Sequence, residues 1–250
     1  MPASLRPMTK EDIRVAAAAM GLTLDDAQAS SLLRFRDLLI AANASFNLTA
    51  ITDDASILAL HFMDSLTPLP FIRALQPTLG AQLSLIDVGS GAGFPGIPLK
   101  IAMPELDVTM MDGTAKKVRF CQQVITALDL RDIRAIHARA EEAGQQRDHR
   151  ERYDVAIARA VAPMPTLAEY LLPLARVGGL CIAMKGREAQ REAAEAAAAI
   201  ATLGGAPAQV QPVSLPSRDD QRALILVRKV APTPRAYPRP AGAPRRAALR

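Results

Sequence analysis

The stretch from Leu85 to Ala102, LIDVGSGAGFPGIPLKIA, constrains the fold more than any other. An apolar run ends in Asp87-Val88. Glycines follow at 89, 91, 93 and 96, with prolines at 95 and 98. Apolar residues that break into alternate glycines and then resume a helical spacing read as strand, tight turn and helix. Such a turn lets a ligand approach the backbone, and it belongs to βαβ units that cover a parallel sheet on both faces. The flanking sequence supplies those units. Strands are predicted at LSLIDV (83–88), LDVTMMD (106–112), DIRAIHA (132–138), YDVAIAR (153–159) and GLCIAMKG (179–186). Helical patterns fall between them, around 95–103, 115–129, 163–176 and 187–203. The alternation predicts an α/β fold with a doubly wound, mostly parallel sheet. AQVQPVSL and RALILVRK, parted by polar residues 216–221, are predicted to form an antiparallel pair at one end of it.

The segment before this alternation reads as helical. Thr9 precedes Glu11 and Asp12, and Thr23 is read as the N-cap of a second helix, with Asp25 and Asp26 in its first turn. Leu32, Phe35 and Leu39 then form an apolar stripe, and NASFNLTAITD (43–53) breaks the pattern. No glycine lies between Gly21 and Gly80. Three segments are therefore expected: a helical extension over 1–78 packed on the core, an α/β domain over 79–230 and a tail over 231–250. The tail holds five arginines and no acid, so it carries the whole net charge of +5, and the first 230 residues balance to zero. Its Pro-, Ala- and Arg-rich composition offers little to bury, and disorder is expected.

Composition also excludes some classes. Cys121 and Cys181 have no close cysteine neighbour, so neither a disulfide framework nor a metal site is expected, and both read as buried thiols. The first residues lack an apolar signal region, and no run of 18–20 apolar residues is evident. A cytoplasmic protein without a membrane anchor is expected.

What the turn holds is less sharply fixed. Gly91 to Gly96 fits G-x-G-x-x-G, and Asp112 lies 21 residues after Gly91, so a dinucleotide stays open. A purely structural turn also stays open. Other details favour S-adenosylmethionine. Asp87 would repel a pyrophosphate but could receive the ammonium of a methionine moiety. Pro95 and Pro98 remove backbone donors that a pyrophosphate needs. Asp112 ends the next strand, where a carboxylate takes ribose hydroxyls of either ligand. By topology, Gly89, Gly91 and Gly93 form the turn and Glu141 faces an adenine. Arg159 lies beside the methyl group, unless it is a surface ion-pair partner, and Lys185 completes a basic rim.

FNLTAITD, LHFMDSL, LIDVGSGAGFPGIPLKIAMPELDVTMMDGTAKKVRFCQQV, RAEE, YDVAIARAVAPMPTLAEYLLP and AMKG occur in an order and spacing similar to the bacterial 16S rRNA (guanine-N7)-methyltransferase G family. The resemblance spans residues 10–230, with the tail outside it. It implies a class I, Rossmann-like methyltransferase that moves a methyl group from S-adenosylmethionine to N7 of a guanine in the 530 loop of 16S rRNA. It implies cofactor contacts at Gly89, Phe94, Ala140, Glu141 and Arg159, with Asp112 as the ribose acid. The chain departs from the family pattern at Gly113 (often serine), Lys117 (often arginine), Leu60 (often arginine) and Ala158 (often serine).

N7 of guanine carries a lone pair and no proton, so its attack on a sulfonium methyl needs no general base, and no catalytic base is expected. Arg159, Asn47 and His61 are the expected neighbours of the methyl site. His61 and Asp64 share a helix face at i, i+3, as a pocket wall or as a structural pair. Asn47 either meets the guanine edge or holds the 43–53 turn. Lys100, Lys116, Lys117, Arg119 and Lys185 are candidate phosphate contacts, although three charges over 116–119 cannot all face one way. The tail would add salt-sensitive attraction to RNA. The expected partner is 16S rRNA or the small ribosomal subunit, met by a monomer.

Overall fold

The computed structural model describes residues 6–80, 82–216, 218 and 221–249. Seven strands form one sheet: β1 (Ser84–Val88), β2 (Asp107–Asp112), β3 (Ile133–His137), β4 (Tyr153–Arg159), β5 (Ala175–Lys185), β6 (Gln209–Val213) and β7 (Arg222–Arg228). Their order is β3-β2-β1-β4-β5-β7-β6. The first five are parallel, and β7 runs antiparallel to both β5 and β6. The strand order reverses between β1 and β4, which stay parallel, so the C-terminal ends of those strands open a crevice between them.

Period-two alternation sorts the strand residues onto two covered faces. Leu85, Val108, Met110, Val155, Ile157 and Ile182 lie in one apolar cluster with the N-terminal helices. Ile86, Val88, Met111, Ala156, Ala158 and Cys181 lie in the other. The first face is covered by α1 (Lys10–Ala19), α2 (Asp26–Phe46), α3 (Asp54–Arg73), α4 (Gly96–Ala102) and α5 (Ala115–Ala127). The second is covered by α6 (Ala140–Ala143), α7 (Met164–Leu171), α8 (Ala189–Glu195) and α9 (Ala197–Thr202). Both cysteines are free and buried.

Several expectations are corrected. The N-cap of α2 is Asp25, not Thr23. Asp25 accepts the N–H of Gln28, whose side chain returns to the Asp25 N–H, and this reciprocal box outcompetes a lone hydroxyl. The same helix continues through 43–46 to end at Asn47, a left-handed C-cap with φ of 46°. Helix α3 is long and apolar enough to cross a bilayer, with mean hydropathy 1.3, although no such run was expected. Since 61% of its apolar window is buried within the fold, that apolar length serves core packing. Over Ile57–Met63 it is π-helical, a widening that recurs at functional sites.

The tail also departs from expectation. Residues 233–247 pack along the second face and end in the short helix α10 (Ala243–Arg246). The arm docks through main-chain carbonyls as well as through the buried Pro238 and Pro244. Arg150 alone donates to the carbonyls of Thr233, Pro234 and Tyr237. Composition weighs apolar side chains and misses these acceptors, which a guanidinium fork satisfies in sets.

Lys100 was expected to grip RNA phosphate. It is instead buried in α4, and its Nζ donates to the carbonyls of Pro104 at 2.7 Å and Leu106 at 2.5 Å. There it ties the end of α4 to the entry of β2. Lys100→Met strands both carbonyls and is expected to cost about 2–3 kcal/mol in urea unfolding, with RNA affinity unchanged. A loss of RNA affinity without loss of stability would return Lys100 to the interface.

Candidate active site

Two carboxylates shape the glycine turn. Asp87 is fully buried, and its Oδ2 accepts the N–H of Gly96 at 2.9 Å. Its Oδ1 is buried without a hydrogen-bond partner among the described residues. Burial lifts its carboxyl to about 7. Asp87 follows Leu85 onto the first face, under α4, so it lines neither cavity described below and does not face a cofactor ammonium. The contact also turns the Gly96 N–H, at the start of α4, away from any pyrophosphate. A Cβ at Gly96 would lie 2.9 Å from Asp87 Oδ2, so only glycine allows this approach. On the other side, Asp112 accepts the N–H of Gly91 at 3.0 Å through Oδ2 and that of Thr114 at 2.8 Å through Oδ1. Gly91 and Gly93 serve the turn and line neither cavity, a second departure from the expected cofactor set.

A cavity of about 360 Å³ lies beyond the ends of β1, β2 and β3. Gly89, Asp112, Ala140 and Glu141, all expected at a cofactor, line it together. Each Asp112 oxygen keeps a lone pair beyond its backbone bond, so ribose hydroxyls can still donate to it. Lys117 Nζ stands 3.9 Å from Asp112 Oδ2 and lines the same cavity. Glu141 is buried, and its Oε1 accepts the N–H of Gly242 at 2.9 Å. Burial first, then the Glu141 charge, raise the neighbouring Tyr170 hydroxyl above its ordinary value.

A second cavity, of about 600 Å³, opens beside the ends of β4 and β5. Arg159 projects into it from the first face. It donates to the Leu60 carbonyl at 2.8 Å and to Asp64 Oδ2 at 3.0 Å, and it lies 5.1 Å over the Phe94 ring. His61 stacks on Phe94 with centroids 4.3 Å apart. Its Nδ1 meets Arg159 at 3.5 Å and its Nε2 meets Thr49 Oγ1 at 2.9 Å. Arginine only donates, so Nδ1 accepts and Nε2 carries the proton. Burial, then the Arg159 charge, lower the ring to about 4. Phe94 was expected at the cofactor. Its side chain packs among Phe35, Phe62 and His61 and lines neither cavity, so it supports the His61–Arg159 pair from behind. Asn47 lines neither cavity and caps α2 instead. Lys185 lines this cavity but is held by Glu192 at 2.7 Å and the Ala162 carbonyl at 2.6 Å, so it is no loose phosphate clamp. Lys116 and Arg119 lie exposed on α5.

The cavities meet at Ala160 and Val161, which line both. Ala160 holds a left-handed φ of 56°, and a Cβ at Gly89, whose own φ is 74°, would lie 2.5 Å from Val161 Cγ2. Val161, Tyr170, Arg222, Gly242 and Arg245 were not singled out from sequence. Arg222 was legible in principle, because an antiparallel partner of β5 must begin beside Lys185. The sequence marked the tail arginines only as a charge for RNA and not as neighbours of this cavity.

The solved structures that resemble this chain share the fold. A predicted O-methyltransferase from Agrobacterium tumefaciens is 17% identical with a TM-score of 0.52, covering 69% of this chain and 81% of that one. A geranyl diphosphate methyltransferase solved in complex with S-adenosylmethionine is 14% identical with a TM-score of 0.50, covering 66% and 85%. Sequence relatives are far closer. The ribosomal RNA small subunit methyltransferase G of a Roseiflexus species (strain RS-1) is 49% identical over 92% of this chain and 95% of its own. That of Leuconostoc citreum is 46% identical over 95% and 98%. The latter match leaves 5% of this chain outside it, fewer residues than the tail contains, so that alignment enters the tail, whereas the family model ends at residue 224. With the family model for rRNA small subunit methyltransferase G matching residues 28–224, the chain belongs to the GidB family of rRNA small subunit methyltransferases G.

Proposed function

We propose that the protein transfers a methyl group from S-adenosylmethionine to N7 of a guanine in the 530 loop of 16S rRNA. The observation that carries this reading is the pair of cavities joined at Ala160–Val161, the smaller lined by Asp112 and Glu141, the larger by Arg159 and Lys185. The smaller suits a nucleoside: Asp112 receives the ribose hydroxyls, Ala140 and Glu141 face the adenine, and Gly89 lets the chain pass close to the methionine moiety. When bound there, S-adenosylmethionine supplies an electrophilic methyl on a positively charged sulfur. The larger cavity receives the guanine. The Gly96–Asp87 contact argues against the dinucleotide alternative, because it removes the helix-start donor such a ligand requires.

The protein's task is placement. N7 brings its own lone pair, so no side chain has to remove a proton, and holding the reactants in line supplies the rate. Arg159 is committed to Asp64 and the Leu60 carbonyl, which fixes the cavity wall. His61 is neutral at pH 7 and acts as a shaped, uncharged neighbour of Arg159 rather than as an acid. That suits a reaction whose product base gains positive charge. Lys116 and Arg119 remain the proposed phosphate contacts, with Lys185 as a fixed charge at the rim. The enzyme works as a monomer in the cytoplasm, on 16S rRNA or the small ribosomal subunit, without a membrane.

Labelled S-adenosylmethionine and unmethylated small subunits are expected to give one N7-methylated guanine, mapped to the 530 loop by reduction and aniline cleavage. Label on no RNA would sink the proposal. Asp112→Ala is expected to weaken S-adenosylhomocysteine binding about 10–100-fold by calorimetry, since it removes a pair of charge-assisted hydrogen bonds. NADH is expected not to bind. Ring NMR of His61 is expected to titrate near 4. Because this native value lies below the unfolded one, the native state resists protonation. Stability is therefore held above pH 6.5 and lost as pH falls toward 4. His61→Gln should remove that loss, and a ring titrating near 6.5 would contradict its burial.

A further inference from the structure

Residues 233–247 reach the smaller cavity from outside the α/β body, and three locks hold them. At the root, Lys229 is 1% exposed, with its Nζ bonded to the Leu172 carbonyl at 2.7 Å and to Thr233 Oγ1, and Glu151 Oε1 lies 3.3 Å away. In the middle, Arg150 donates to the carbonyls of Thr233 and Tyr237, each at 2.7 Å, and Gln145 donates to that of Pro238 at 2.7 Å. At the far end, Arg239 grips Glu169, a carboxylate with no exposure at all, through Nε at 3.0 Å and a terminal nitrogen at 2.7 Å. A buried carboxylate without a partner is strongly unfavourable, so Glu169 selects the docked arm. Beyond this lock the chain turns at Gly242 with φ of 81°, which delivers its N–H to Glu141. Gly242 and Arg245 then line the cavity opposite Asp112, and Arg245 donates to the Val161 carbonyl at 3.2 Å, where the two cavities meet.

We propose that this arm is the outer wall of the methyl-donor pocket, and that Arg239 is a positioning residue whose lock on Glu169 holds Gly242 against Glu141. The inference rests on the reading of the Asp112–Glu141 cavity as the S-adenosylmethionine site. The ligand class it serves is a purine nucleoside with a free ribose diol. Because the arm touches the carboxylate that faces the adenine, arm docking and nucleoside binding favour each other by one common factor.

Hydrogen exchange on the intact protein tests this. Saturating S-adenosylhomocysteine is expected to slow amides within 233–247 about 10-fold, together with those around Asp112 and Glu141. Protection around Asp112 with the arm unchanged overturns the proposal. A chain lacking 236–250 and carrying Glu169→Gln keeps the Lys229–Thr233 root and does not leave the Glu169 charge without its Arg239 partner. It is expected to bind S-adenosylhomocysteine about 10-fold more weakly and to show a raised KM for S-adenosylmethionine, with kcat held at saturation. Arg239→Gln should behave likewise and Arg239→Lys should recover part of the affinity. Affinity within twofold of the full chain overturns the arm's role while leaving the cofactor reading intact. Failure of the full chain to bind overturns both. Should the shortened chain not fold, exchange on the intact protein decides alone.

Discussion

Two carboxylates hold the glycine turn from opposite sides, and most of the active-site geometry follows from them. Asp87 fixes where α4 begins by taking the Gly96 N–H, and Asp112 fixes the crest of the turn by taking the Gly91 N–H. Between these anchors Gly89 is pressed against Val161, and that closeness makes the smaller and larger cavities neighbours. The cost falls on Asp87. Its carboxyl is buried and raised to about 7, with one oxygen left unpartnered among the described residues. A strand-end acid here is first a structural device, and only Asp112 combines that duty with a face toward the smaller cavity.

Strand and helix positions were legible because the sheet is buried on both sides. Each strand is then a short, nearly continuous apolar run bounded by turn residues, and YDVAIAR corresponds to β4 residue for residue. Asp112, Ala140 and Glu141 line one cavity together because topology puts strand ends at one rim. Which way a side chain points was harder. Asp87 and Arg159 both lie on the first face by strand parity, which puts Asp87 under α4 and away from the smaller cavity. Lys100 and Lys185 show the other gap. A lysine reads as solvated in sequence, yet stranded carbonyls or a neighbouring glutamate can draw it inward.

The arm was missed for a related reason. Proline-rich chain offers few apolar side chains but many free carbonyls, and these become useful only where donors wait for them. Arg150 and Gln145 supply such donors, both from the segment between α6 and β4. No local pattern shows that match, because donor and acceptor lie more than eighty residues apart at Arg150 and Gln145. The five arginines likewise read as one cationic block, while Arg239 is committed to Glu169 and unavailable to RNA.

The Arg159–Ala160–Val161 segment acts as a molecular ruler. Arg159 belongs to one cavity, Val161 abuts the glycine turn of the other, and the left-handed Ala160 between them reverses the direction in which the chain displays its side chains. Consecutive Cα atoms are about 3.8 Å apart, so the two walls stand within about 7 Å of each other by covalent geometry alone. Spacing set this way does not breathe with side-chain packing or loop motion. A methyl donor in one cavity and an acceptor in the other, as proposed, would meet at a distance written into the backbone.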